Sequence, residues 1–333
     1  MNVRRRLAAS RINTAGTAAL AATALAVSLS ACSSDSDAAE GGNGGGKLDV
    51  VASFYPMQFL AEQIGGDHVS VTSLTEPGQE PHDLEISAKQ TAQLQEADAI
   101  FYLKNFQPSV DEAVGQSDVK TKVDAATLTK LENLGTEDGH EHGAEEGAEA
   151  EEEHAGEEES TLDPHVWLDP VKYAEIAEGV GKALEKADPD NAADYKKNTA
   201  DLVKKLGTLD TAFEDGLKNT KSKVFFTNHA AFGYLAQRYG LTMEAIAGLE
   251  PDSEPSAARV KELQQEAKAD GVTTVFYETL VSDKTAKTLA SDAGLKTDVL
   301  DPIEGITDKS KGDDYIAVME SNLKSLQTAL GAQ

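Results

Sequence analysis

The chain has a single cysteine, Cys32, in 333 residues. It can therefore form no internal disulfide, which leaves that thiol for another purpose. Bases are scarce: 30 Lys and Arg stand against 58 Asp and Glu, for a formal charge of −28. Such a surface repels nucleic acid and anionic lipid and favours cationic ligands, so no nucleic-acid partner is expected. Neither H-E-x-x-H nor G-x-S-x-G occurs, which removes two common hydrolase signatures. Long apolar runs are also lacking. The Ala-rich segment from about Ala15 to Ala31 is broken by Thr and Ser, and it is too short and mild for a membrane span.

That segment follows Arg4, Arg5, Arg6 and Arg11, which is the layout of a secretory signal peptide over residues 1–31. Its end, Leu29-Ser30-Ala31-Cys32, resembles a bacterial lipobox, in which the cysteine is lipidated and becomes the new N-terminus. Cys32 is thus expected to carry a lipid whose buried methylenes contribute roughly 0.8 kcal/mol each to membrane attachment. Residues 32–47 are rich in Ser, Gly and Asp and read as a flexible tether. The remainder, from Leu48 onward, is long enough for two domains. The expected location is extracytoplasmic, on the outer face of the bacterial cell membrane.

Short apolar runs then alternate with helical periods. Strands are predicted at 48–54, 67–74 and 99–104, with helices at 56–66 and 87–98 between them. The second half repeats the pattern, with strands at 223–227, 241–249, 272–278 and 295–303. Helices at 256–271 and 282–294 separate the last of these, and an amphipathic helix at 313–330 closes the chain. Strands spaced by helices of this length imply βαβ units and parallel sheets. Between the halves, a helix at 169–189 precedes a stretch with few breakers, 190–220. The expected fold is α/β: two parallel-sheet (βα) lobes, 48–188 and 220–333, joined by one long rigid helix, 189–219. Ligands of such lobes lie beyond the carboxyl ends of the strands, here in the cleft between lobes.

One stretch interrupts the first lobe. Residues 136–161 hold His140, His142 and His154 among acids, and Glu137–Ser160 carries 12 acids and no bases. It reads as a disordered His/acid loop able to hold metal weakly.

Three other histidines occupy similar places, in a loop at or just after a predicted strand. These are His82 in EPGQEPHD, His165 in DPHVWLDP and His229 in FFTNHAAFGY. Imidazole is the commonest neutral metal ligand, and zinc takes three or four N and O donors tetrahedrally. His68 falls at a strand's beginning, the wrong end, and reads as a surface residue. A carboxylate would complete the set. Asp301 in TDVLDPIEG is the best placed, Glu304 in the same loop is the next, and Glu80 and Glu278 also end near strand ends.

The chain resembles the metal-binding lipoproteins that feed zinc or manganese to ABC importers, the cluster A-I substrate-binding proteins. The resemblance lies in SFYPMQFLAEQIGGDHVSV, EPGQEPHDLEISAKQ, DPHVWLDP, FFTNHAAFGYLAQRYGL, VFYETLVSDKTAKTLASDAG and VLDPIEG, in order along nearly the whole mature chain. It implies two α/β lobes on one long helix with the metal between them. By position it implies His82, His165 and His229 as ligands, with Asp301, or alternatively Glu304, as the fourth. It also implies a permease and its ATPase as partners, and a monomer. Members selective for manganese tend to have Glu at the third position, whereas this chain has His229, and imidazole suits zinc better than manganese. The expected function is capture of Zn²⁺ for an importer, with Zn²⁺ as transported substrate and no enzymatic activity. Manganese binding, a surface adhesin and a zinc hydrolase are the alternatives.

Overall fold

The computed structural model describes residues 46–134, 162–251, 253 and 255–332. Cys32, the signal segment and the His/acid stretch with His140, His142 and His154 lie outside these residues.

Two four-stranded parallel sheets are built with the same wiring. The first contains β1 (Leu48–Ala52), β2 (Val69–Ser73), β3 (Ala99–Tyr102) and β4 (Thr121–Asp124), in the order β2-β1-β3-β4. Its register sets Val50 beside Val71 and Val51 beside Ile100. The second contains β5 (Val224–Thr227), β6 (Thr242–Ala245), β7 (Thr274–Tyr277) and β8 (Lys296–Val299), in the order β6-β5-β7-β8. Parallel neighbours require crossovers, and helices supply them. In the first lobe these are α1 (Tyr55–Gly65), α2 (Ala88–Glu96) and α3 (Pro108–Gln116). Their starts follow local chemistry. Pro56 occupies the first turn of α1, and Ser87 with Gln90 forms a reciprocal capping box on α2.

Helix α4 (Pro170–Ala187) starts at Asp169, whose carboxylate accepts from the Val171 amide. Helix α5 (Ala192–Leu217) follows after a single 3₁₀ turn at Pro189–Asn191. Tyr195, Thr199, Leu202, Leu206, Leu209, Phe213 and Leu217 are its buried residues. Their spacing of three and four is a continuous apolar stripe. At 26 residues it runs about 39 Å. Gly181 of α4 lets the two helices touch, since a Cβ there would sit 2.2 Å from the Thr199 hydroxyl.

The second lobe adds α6 (Gly233–Tyr239), α7 (Ala257–Ala269), α8 (Lys284–Ala293) and α9 (Tyr315–Leu330). Helix α5 packs on α1 and α4 on one side and on α9 on the other. As a result one apolar core runs through both lobes, from Val50 and Phe54 through Trp167, Leu206 and Phe213 to Phe225, Phe276 and Tyr315. Smaller cores lie on the outer sides of the sheets. Densely packed cores resist continuous deformation, and this one is shared by both lobes. Among the described residues no helix is long and apolar enough to cross a membrane.

Candidate metal centre

Each lobe sends loops from the carboxyl ends of its strands toward the other. His82 lies in the loop after β2, His229 follows β5 by two residues, and Glu304 follows β8 by five. His165 precedes the 3₁₀ turn Val166–Leu168 that leads into α4. The four side chains meet, all buried, with one ligand atom from each lying within 4.8 Å of all the others. His165 Nε2 is 3.4 Å from His82 Nε2 and 3.3 Å from His229 Nε2. Glu304 Oε1 stands 3.4 Å from His82 Nε2, 3.3 Å from His165 Nε2 and 3.6 Å from His229 Nε2. Three imidazole nitrogens and one carboxylate oxygen therefore face a common centre, which is the donor set of a tetrahedral zinc site.

The outer nitrogens are held as well. His165 Nδ1 pairs with Asp163 Oδ1 at 2.8 Å, and His229 Nδ1 with Glu278 Oε1 at 2.6 Å. A carboxylate there fixes the ring and places the free lone pair on Nε2. Both carboxylates are buried, and their second oxygens, Asp163 Oδ2 and Glu278 Oε2, have no hydrogen-bond partner among the described residues. Two buried carboxylate oxygens left without a partner beside a ligand set are costly unless a cation is close. Gly233 permits one of these approaches, because a Cβ there would come within 2.7 Å of Asp163 Oδ2. The Tyr234 hydroxyl, also from α6, donates to the Asp163 carbonyl at 2.9 Å and accepts from the Glu132 amide at 2.7 Å.

The electrostatics follow from burial against charge. Burial presses the His82 imidazole down, yet Glu304, Glu250 and Glu80 outweigh it and leave the ring raised, to about 10. For His229 burial again opposes protonation and is overcome by Glu278 and Glu304, so the ring ends well above the ordinary imidazole value. Burial would raise Glu304, but His82, His165 and His229 hold it well below the usual carboxylate range.

Asp301 and Glu304 are placed differently. Asp301 is buried but sits outside the group of four, and its carboxylate is already engaged. Its Oδ1 accepts from the Ile303 amide at 2.9 Å and its Oδ2 from the Thr279 hydroxyl at 3.1 Å, while both of its backbone groups bond the Asn322 amide of α9. The chain then passes through Ile303 at φ +60°. That conformation is strained for a β-branched residue and needs surrounding bonds to hold it. Trp167 Nε1 donates to the Pro302 carbonyl at 2.7 Å and completes them. The tight turn carries the chain past Asp301 and delivers Glu304 to the histidines. An expected result follows for titrations with a competing chelator. Glu304→Ala removes a donor and weakens zinc binding by about two orders of magnitude, whereas Asp301→Asn, which keeps an acceptor at Oδ1, costs about tenfold or less.

The remaining carboxylates and His68 have other partners. Glu80 accepts from the His82 and Asp83 amides rather than from the ring. Glu278 holds the outer face of His229, and His68 pairs with Asp194 at 2.9 Å, away from the cluster. Asp163 and Glu250 take part in the surroundings without having been singled out from sequence. The only hint for Asp163 was its place two residues before His165, where an Asp can bond the amide of i+2, as it does at 2.9 Å.

Comparison with known proteins agrees with this arrangement. Residues 50–329 match the family described as Zinc-uptake complex component A, periplasmic (ZnuA). The chain is 39% identical over 315 residues to the zinc-binding lipoprotein AdcA of Streptococcus pneumoniae, covering 92% of this chain and 60% of that protein. It is 37% identical over 308 residues to the high-affinity zinc uptake system protein ZnuA of Bacillus subtilis, covering 91% of this chain and 93% of that one. The crystal structure of the Zn(II)-bound ZnuA-like domain of Streptococcus pneumoniae AdcA superposes with a TM-score of 0.69 at 38% identity, over 86% of this chain and 99% of that one. The chain thus spans 60% of the length of the pneumococcal relative.

Proposed function

The chain belongs to the zinc-uptake component A family, and we propose that it captures Zn²⁺ outside the cytoplasm and hands it to an ABC importer. His82, His165, His229 and Glu304 hold the ion, two from each lobe. The observation that carries this reading is the convergence of four buried ligand atoms within 4.8 Å. Two further buried carboxylates, Asp163 and Glu278, orient the rings and offset the ion's charge. Because ligands come from both lobes, binding favours one lobe arrangement, and the permease with its ATPase reads loaded against empty protein by that difference. The lobes work as a monomer on a lipid at Cys32.

The donor set selects zinc over manganese. Three imidazoles suit a borderline ion, while manganese favours carboxylate and water oxygens. Four protein donors also fill a tetrahedral shell, so no position is left for the activated water of a hydrolase. Protein lacking residues 1–32, produced in medium containing both metals, should carry one zinc per chain by metal analysis. A manganese-loaded product would refute the zinc reading.

We assign His140, His142 and His154 to weak uptake of additional zinc. The stretch that holds them is bracketed by Glu132 and Asp163, which meet at Tyr234 beside the site. Tethering of this kind gives effective concentrations on the order of millimolar. Deleting residues 137–160 should leave one tight zinc equivalent in calorimetric titration and abolish only the weaker ones. Loss of the tight equivalent would contradict the assignment.

A further inference from the structure

The three imidazoles are not held alike. The outer nitrogens of His165 and His229 are gripped at 2.8 and 2.6 Å by Asp163 and Glu278, both buried and each from the same lobe as its histidine. Among the described residues, the group that His82 Nδ1 faces is Glu250 Oε2, at 3.5 Å. Glu250 lies in the loop after β6, in the opposite lobe, and its side chain is 67% exposed. The nearer acid, Glu80, is occupied by backbone amides. His82 is also the ligand residue closest to solvent, at 5% exposure against 0% for His165 and His229 and 1% for Glu304. Phe106 packs edge-on to the imidazole at 4.6 Å between centroids and bounds its other side.

We propose that Glu250 is a positioning residue that sets the His82 ring from across the cleft, and that the His82–Glu250 edge is where the ion leaves. This rests on the reading of the four-residue cluster as a zinc site. An ion on Nε2 makes the opposite N–H a stronger donor, which draws it to a carboxylate. The contact then closes the lobes at the one ligand lacking a buried grip. It is also the one orienting carboxylate that a docking subunit can reach, since Asp163 and Glu278 are enclosed. Pulling Glu250 away would free the His82 ring and leave the other three ligands in place.

The test is stopped-flow zinc release from the mature chain into excess chelator, for wild type, Glu250→Ala and Glu250→Gln, after zinc stoichiometry is measured for each. Glu250→Ala should release zinc about tenfold faster or more. Glu250→Gln retains an oxygen that accepts from Nδ1–H, so it should restore most of the wild-type rate, which mere loss of surface charge would not. A wild-type rate in Glu250→Ala overturns the proposal, as does a Gln variant that is as fast as the Ala variant. A wild type that fails to bind zinc would instead overturn the functional reading on which the proposal stands.

Discussion

His229→Ala is expected to lower zinc affinity by two orders of magnitude or more while the protein stays folded. Apparent zinc binding energies of about 10–16 kcal/mol divided over four ligands come to roughly 3 kcal/mol each, which is about two decades in the dissociation constant. The loss at His229 should exceed that average. Removing the ring also deprives Glu278 of its partner, leaving a buried carboxylate with neither oxygen engaged. The double variant His229→Ala/Glu278→Ala should therefore be more stable to urea than His229→Ala alone, though no better at binding zinc. Chelator competition and denaturant titration read the two effects separately. Wild-type affinity in His229→Ala would mean that the ion is held elsewhere.

The second large effect is on pH. Free imidazole titrates near 6.5, and from sequence alone affinity is expected to fall between roughly pH 7 and 5. The geometry widens that window upward. His82 is raised to about 10 and His229 well above its ordinary value, because carboxylates surround them. In the metal-free protein His82 carries its second proton at neutral pH, and zinc must displace it to reach Nε2, while the raised His229 shifts the dependence in the same direction. Affinity therefore falls as pH falls, starting below about 10 for His82. Each proton displaced adds about tenfold per pH unit to the slope. Glu304 is held well below the usual range, stays ionised and adds no slope in this window. Calorimetry in buffers of differing ionisation enthalpy should count at least one proton released per zinc at pH 7. Release of none, with flat affinity between pH 7 and 9, would show that the imidazoles are neutral before the ion arrives.

Much of this arrangement was legible in the sequence. His82 and His229 stood out because each follows a strand of a parallel sheet, His229 by two residues, whereas His165, expected at a strand end as well, instead precedes a 3₁₀ turn into α4 and follows no strand directly. The long helix was legible because residues 190–220 hold few breakers, and in the structure its buried residues form a stripe from Tyr195 to Leu217. Asp301 was favoured as fourth donor because it ends the last strand, while the structure sets Glu304 beside the histidines. The difference arises at Ile303, whose φ of +60° no local signal announces, since β-branched residues avoid that region. It is imposed by partners far along the chain, Thr279, Asn322 and Trp167. Helix α3 and strand β4 were not read at all. They are nine and four residues long, and β4 buries only Val123, so neither gives a strong period. Glu250 belongs to the other lobe from His82, and only the folded chain brings the two together.

X-ray absorption at the zinc edge on protein carrying one equivalent tests the central claim most directly. The account predicts a four-coordinate ion with three imidazole nitrogens and one carboxylate oxygen, at about 2.0–2.2 Å. In Glu304→Ala the oxygen contribution should change, and in Asp301→Asn it should not. Fewer than three imidazoles, a five- or six-coordinate oxygen-rich shell, or an oxygen shell that follows Asp301 instead would contradict it.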